Sequence, residues 1–132
     1  MILLDTHVWI WWLSNPEALP PKVTKALEQS MAARSILLSA ISAWEIAMLV
    51  KKKRLVLSLS VQDWIHKTES LPFINFLPVD NRIAIQSVFL PEPLHSDPAD
   101  RIIITTAITH NATLITKDQK MLDYSPVNTL WE

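Results

Sequence analysis

The chain has 132 residues, a length that suits one domain with a real core. Apolar residues make up 49% and charged residues 19%, which excludes a disordered chain, and a net charge of -1 excludes any general attraction to nucleic acid. The chain has no cysteine, which excludes disulfides and thiolate zinc and fits a reducing compartment; it has no glycine, which excludes a P-loop, a dinucleotide fingerprint and a glycine-flanked nucleophile elbow.

In chain order, Ile2-Leu3-Leu4 is a short apolar run that predicts a buried parallel strand delivering Asp5 at its carboxyl end, with Thr6 as the cap of the next helix. Val8 to Leu13 is apolar around the whole helical circumference, which predicts burial on all sides or a face, carrying at least one tryptophan, turned to another chain. Asn15-Pro16 stops that helix. Lys22 to Ala33 has Val23, Leu27 and Met31 at helical spacing, and Ser35 to Ser39 reads as a second buried strand. Ala40 to Lys52 predicts a helix with Ile41, Trp44, Ala47 and Met48 on its apolar side. Its end is the basic run Lys51 to Arg54, a solvated helix end or a phosphate contact. A helix over 61–70, a strand over 73–77 and a helix over 80–89 follow, and Pro91 and Pro93 mark a loop. Pro98 to His110 is helical, with Asn111 the candidate for a left-handed helix end in a chain without glycine. A strand at Thr113-Leu114-Ile115, a short helix after Asp118 and a strand near Val127 to Leu130 complete the pattern. Alternating strands and helices predict an α/β sandwich with a mostly parallel sheet of about five strands. No segment reaches the roughly 18 apolar residues that span a bilayer, and the first residues lack a signal-peptide pattern, so the cytoplasm is the expected location.

The acids carry the chemistry. In His95-Ser96-Asp97-Pro98-Ala99-Asp100-Arg101, proline at the first helical position makes Asp97 a helix start and puts Asp100 one turn along on the same side. Taken singly, Asp97 and Asp118 read as caps, and Ser42 to Glu45 has capping-box spacing. Asp5 does not reduce to a cap so readily, because a carboxylate straight after a buried strand needs a partner. Ligands gather beyond the carboxyl ends of parallel strands, and several acids meeting there repel unless a divalent cation joins them. An all-oxygen donor set favours magnesium or manganese over zinc. The histidines have no paired-ligand spacing and read as structural or surface residues, with His95 the best exception because it neighbours this site.

Leu3-Leu4-Asp5-Thr6-His7, Ser42-Ala43-Trp44-Glu45-Ile46, His95 to Arg101 and Leu114-Ile115-Thr116-Lys117-Asp118 resemble, in order, the PIN-domain ribonucleases. The resemblance is narrower still to the VapC-type toxins of type II toxin–antitoxin systems, and it extends to Leu130-Trp131. It implies that residues 1–132 form one PIN-like nuclease domain with a three-layer α/β/α fold, cleaving RNA with Mg2+ or Mn2+. By resemblance the catalytic and metal-binding acids are Asp5, Glu45, Asp100 and Asp118. Asp97 matches an extra acid of this subgroup, orienting a hydrated metal or the helix start, and Thr116 matches a family hydroxyl near the metal; beside the resemblance, Thr6 and Arg101 are read as supporting groups, Arg101 contacting phosphate or neutralising the acids. The family implies a cognate antitoxin partner and usually a homodimer, which the antitoxin can build into a larger assembly. One departure is Lys53, where relatives commonly carry glycine.

Two other classes compete. A phosphoryl-transfer domain using Asp5 expects paired acids or Asp-x-Asp after the first strand, whereas Thr6 and His7 follow here. An inactive PIN-like binding module would dock a partner through its tryptophans, and the intact acid set argues against it, since idle clustered charge destabilises.

Overall fold

The computed structural model describes residues 1–132. Its strands are β1 (Ile2–Leu4), β2 (Ile36–Ser39), β3 (Ile74–Leu77), β4 (Thr113–Ile115) and β5 (Thr129–Leu130). All pair in parallel, in the order β3-β2-β1-β4-β5. The helices are α1 (Thr6–Ser14), α2 (Pro21–Ala32), α3 (Ala40–Lys51), α4 (Val61–Glu69), α5 (Asn81–Val88), α6 (Pro98–Thr109) and α7 (Gln119–Leu122). The predicted α/β/α layering is the one observed, and the sheet is fully parallel.

Alternation along the short strands builds the layers. Ile2 and Leu4 of β1 face one side, where Val8, Trp9, Val23, Leu27, Ile46 and Trp64 of α1 to α4 close a core. Leu3 points the other way, to Ile103, Ile104 and Ala107 of α6 and to Met121 and Tyr124. Of the three tryptophans of α1, one is interior and two are partly exposed. Trp9 is fully buried, donates from Nε1 to Thr68 Oγ1 at 3.1 Å and meets the rings of Trp64 and Phe76. Trp12 packs on Phe73 and Trp11 on Trp131, and both indoles stay partly exposed.

Three local expectations are corrected. The cap of α1 is Asp5, which accepts from Thr6 N, and not Thr6. The cap of α3 is Ser39, the last residue of β2, which accepts from Ile41 N, so Ser42 to Glu45 is not a capping box. The inward side of α3 is set by Ser42 and Ile46, leaving Trp44 57% exposed and Ala47 exposed. Trp44 and Ile46 lie about 200° apart around the helix, so they cannot share a face.

Three helices end without glycine in a left-handed residue: Arg34, Lys53 and the expected Asn111, with φ of 53°, 59° and 52°. Each closes with a backbone bond from the next residue back into the last turn (Ser35 N to Ser30 O, Arg54 N to Leu49 O, Ala112 N to Ala107 O). Lys53 thus holds a conformation that glycine adopts without strain, at a cost of about 1 kcal/mol.

Candidate active site

The sheet order places a topological switch between β1 and β4. From β1 the chain goes on to β2 and β3 on one side, while β4 leads to β5 on the other. Open parallel sheets form their ligand crevice outside the carboxyl ends at such a point. Asp5 leaves β1 there, its N–H still bonded to Ile115 O of β4 at 3.0 Å. Thr116 and Asp118 leave β4 beside it. α3 brings Glu45, and the start of α6 brings Asp97 and Asp100. These five acids line one open cleft of about 500 Å³, together with Thr6, His7, Trp11 and Lys117.

Threonine hydroxyls and helix starts hold the carboxylates. Asp5 is buried; its Oδ1 accepts from Thr6 N at 2.8 Å and its Oδ2 from Thr116 Oγ1 at 2.8 Å. Thr116 Oγ1 in turn accepts from Asp118 N at 3.0 Å, so one hydroxyl fixes the acid after β1 and the turn after β4. Thr6 Oγ1 lies 2.6 Å from Glu45 Oε1 and 2.9 Å from Ser42 Oγ. With a single proton, it donates to the carboxylate and accepts a hydrogen bond from Ser42 Oγ. Asp97 caps α6 through Asp100 N at 3.0 Å, and Asp118 caps α7 through Lys120 N at 2.8 Å. His95 Nε2 stands 2.8 Å from Asp100 Oδ2, while its Nδ1 is buried with no partner.

Arg101 is the predicted site residue that lies elsewhere. One position beyond Asp100, it points about 100° round the helix. Its guanidinium donates to the carbonyls of Ser87, Val88, Leu94 and His95 and to Glu92 Oε1, tying the 87–95 segment to α6. The basic run also points away: α3 starts at the carboxyl edge, so Lys51 lies about 9 Å along the axis beyond Glu45. The sequence reading missed His7, Ser42, Trp11 and Lys117. Ser42 matched a cap spacing, His7 has no paired-ligand spacing, and Trp11 and Lys117 meet only once β1 and β4 are paired.

Crowding shows in the acidities. Burial, more than anything else, raises Asp5 above the ordinary aspartate range, against the lowering bonds from Thr116 and Thr6. Glu45 is pushed up to about 7, first by burial and then by Asp5, Asp100 and Asp97, despite the Thr6 bond. Asp100 is pushed up to about 6 by burial and by Asp97, Asp5 and Asp118, despite His95. Each negative charge is therefore costly here, and a cation would relieve all of them at once.

The donor chemistry fits a hard divalent cation, because every converging group offers oxygen. No three His, Asp or Glu side chains are disposed to grip an ion as they stand. The hydrogen bonds engage one oxygen of each of Glu45, Asp97, Asp100 and Asp118, and each carboxylate retains lone pairs for a ligand.

Comparison with known proteins gives concordant results. The family model described as PIN domain matches residues 2–125. Ribonuclease VapC22 of Mycobacterium tuberculosis is 34% identical over 134 residues, covering 98% of each chain. Among solved structures, the complex VapBC2 from Rickettsia felis, bound to a promoter DNA fragment, has a chain that superposes with a TM-score of 0.74 at 20% identity, over 100% of both chains. A toxin-antitoxin complex from Klebsiella pneumoniae matches with a TM-score of 0.66 at 23% identity, over 100% of this chain and 99% of that one. At these identities the two structures speak for the fold.

Proposed function

This chain belongs to the PIN-domain family, and on that premise we propose that it is an endoribonuclease, the toxin of a toxin–antitoxin pair, working with Mg2+ or Mn2+. The observation that carries the reading is the convergence of Asp5, Glu45, Asp97, Asp100 and Asp118, from four separated segments, on one cleft at the switch point. The ribonuclease name of the 34% identical relative supports RNA as the substrate.

Asp5, Asp100 and Asp118, with Glu45, are the residues to hold the cation. When bound, it supplies polarisation of a phosphate oxygen and a more acidic water. The chain's own groups do the rest. Thr6 N and Thr116 Oγ1 fix both oxygens of Asp5, so the central carboxylate needs no reordering. Glu45, pushed up to about 7, can take or give a proton near neutral pH. Asp97 acts from behind, by capping the helix that presents Asp100. Cleavage by water leaves a 5′-phosphate and a 3′-hydroxyl. Single-stranded or looped RNA suits an open cleft better than a duplex, whose bases stay stacked.

The binding-module and phosphoryl-transfer readings gain nothing from this geometry, since Asp5 stands among ligand-type acids and not as a lone nucleophile. The fold neighbour from Klebsiella pneumoniae is a toxin-antitoxin complex, and it supports a cognate antitoxin as partner. Self-association is supported by Ile85, Val88 and Phe89, exposed by 60%, 65% and 78% on the last turn of α5 and the residue that caps it. No helix is long and apolar enough to cross a membrane.

Incubating the purified chain with single-stranded RNA tests the nuclease. Cleavage is expected with added Mn2+ or Mg2+ and none with chelator; cleavage undiminished by chelator overturns the metal reading, and none under any condition overturns the nuclease. Light scattering of the same sample is expected to give twice the chain mass of 15.1 kDa. A monomer at micromolar concentration refutes the homodimer.

A further inference from the structure

An acidic cleft repels the backbone it is proposed to cut, and the remaining wall shows how a strand can be held there. α1 places His7 and Trp11 one turn apart on the side facing the cleft, their ring centroids 5.9 Å apart. Trp11 is half-exposed, unlike the fully buried Trp9 two positions earlier. It leans on the buried Trp131 at 5.9 Å, and Lys117 Nζ sits 5.7 Å from the centre of its ring. Lys117 is the one Lys or Arg lining the acidic cleft. It also lines a second hollow of about 450 Å³, bordered by Gln119, Thr129, Leu130 and Trp131. Two hollows therefore share Lys117, and the Trp11–Trp131 pair stands beside it.

Building on the nuclease reading, we propose that Trp11 and Lys117 form a nucleotide subsite that seats the residue next to the scissile phosphate of a single-stranded RNA. The base stacks on the half-open indole while the Lys117 ammonium moves onto a phosphate, and the strand leaves the acids toward the hollow beside Trp131. Stacking on an indole tolerates any base, and it requires an unpaired one. The ammonium supplies a positive charge that no other Lys or Arg brings to the cleft lining. Trp11 also packs against the core edge, whereas the fold does not depend on the Lys117 contact. Trp131 itself closes the core edge, and an exposed cation over a ring contributes little to stability.

The test uses the whole chain and a short 5′-labelled single-stranded RNA of mixed sequence. Binding is measured with chelator present, and kcat and KM are measured with Mn2+. Trp11→Ala and Lys117→Ala are expected to weaken binding and raise KM on the order of tenfold, with kcat changed far less. Trp11→Phe, which keeps an aromatic face and guards against misfolding of the alanine variant, recovers most of the affinity. Lys117→Ala lowers the log–log salt dependence of binding by roughly 0.7, the share of one phosphate contact on a single strand.

If the wild type cleaves but neither variant changes KM or the salt slope, the subsite is refuted and the nuclease reading survives. If the wild type binds RNA through Trp11 and Lys117 without ever cleaving it, the nuclease reading fails and the subsite stands. Variants that bind RNA normally but no longer copurify with a coexpressed protein partner would make this wall a protein contact and overturn the proposal.

Discussion

Asp80 and Asp97 open α5 and α6 in the same way. Each carboxylate accepts the backbone N–H three residues on, from Ile83 at 2.9 Å and from Asp100 at 3.0 Å. Both helices follow turns at the carboxyl side of the sheet, and both caps satisfy a donor that the helix leaves free. Asp80, however, follows β3, the outermost strand, and takes no part in the acidic cleft. Asp97 stands at the switch between β1 and β4 and shares its surroundings with four other acids. The difference lies in topology and not in local structure. Capping and ligand duty are not alternatives: Asp5, Asp97 and Asp118 each cap a helix and line the cleft. The partial positive charge of a helix start lowers the cost of each carboxylate, which helps one edge to hold so many.

Substitution by asparagine probes this contrast, because asparagine caps as well as aspartate but cannot serve as an anionic ligand. The largest effect is expected for Asp5→Asn, with metal-dependent cleavage reduced by at least about a hundredfold and a melting temperature no lower than wild type. Asp97→Asn is expected to lose about tenfold, the scale of an outer-shell group. Asp80→Asn should leave cleavage and melting unchanged. Cleavage assays and thermal melts on the three proteins decide it. Equal losses in Asp80→Asn and Asp97→Asn would mean that helix integrity, and not position at the switch, governs activity.

The same contrast explains what could be read in the chain. The strand Ile2–Leu4, the proline after Asp97 and the four acid-bearing segments are local signals, and they pointed to the right sheet edge. Asn111 was legible because a chain without glycine needs a left-handed substitute. Other features depend on long-range placement that leaves no pattern. α3 is apolar nearly all the way round, so periodicity could not say that Ile46 faces in and Trp44 out. Ser42 carried the spacing of a cap, yet the helix begins earlier because β2 ends at Ser39. Arg101 neighbours the acids in sequence, but its partners are carbonyls of a returning loop, which no side-chain motif announces. Which acids meet was legible; what fastens them was not.

The smallest effect expected is on stability, and its sign separates acids that crowd from acids that merely cap. Glu45 titrates at about 7 in the folded chain against 4.5 as an isolated group, and Asp100 at about 6 against 3.8. Between those limits the folded state holds more protons than the unfolded one. Stability of the metal-free protein therefore falls as the pH rises from 3.8, where Asp100 begins to contribute, to about 7, and levels off above that. With chelator present, the melting temperature should drop by a few degrees across this window. Glu45→Gln, which carries no charge to lose, should flatten the drop, whereas Asp80→Asn should leave it in place. Mg2+ should reverse the slope, because the cation binds the deprotonated carboxylates and stabilises the fold more at pH 8 than at pH 5. Thermal melts across pH, with chelator and with Mg2+, read both slopes. A metal-free protein that grows more stable toward neutral pH would mean that the carboxylates are paired off and not held against one another, which removes the reason for a cation.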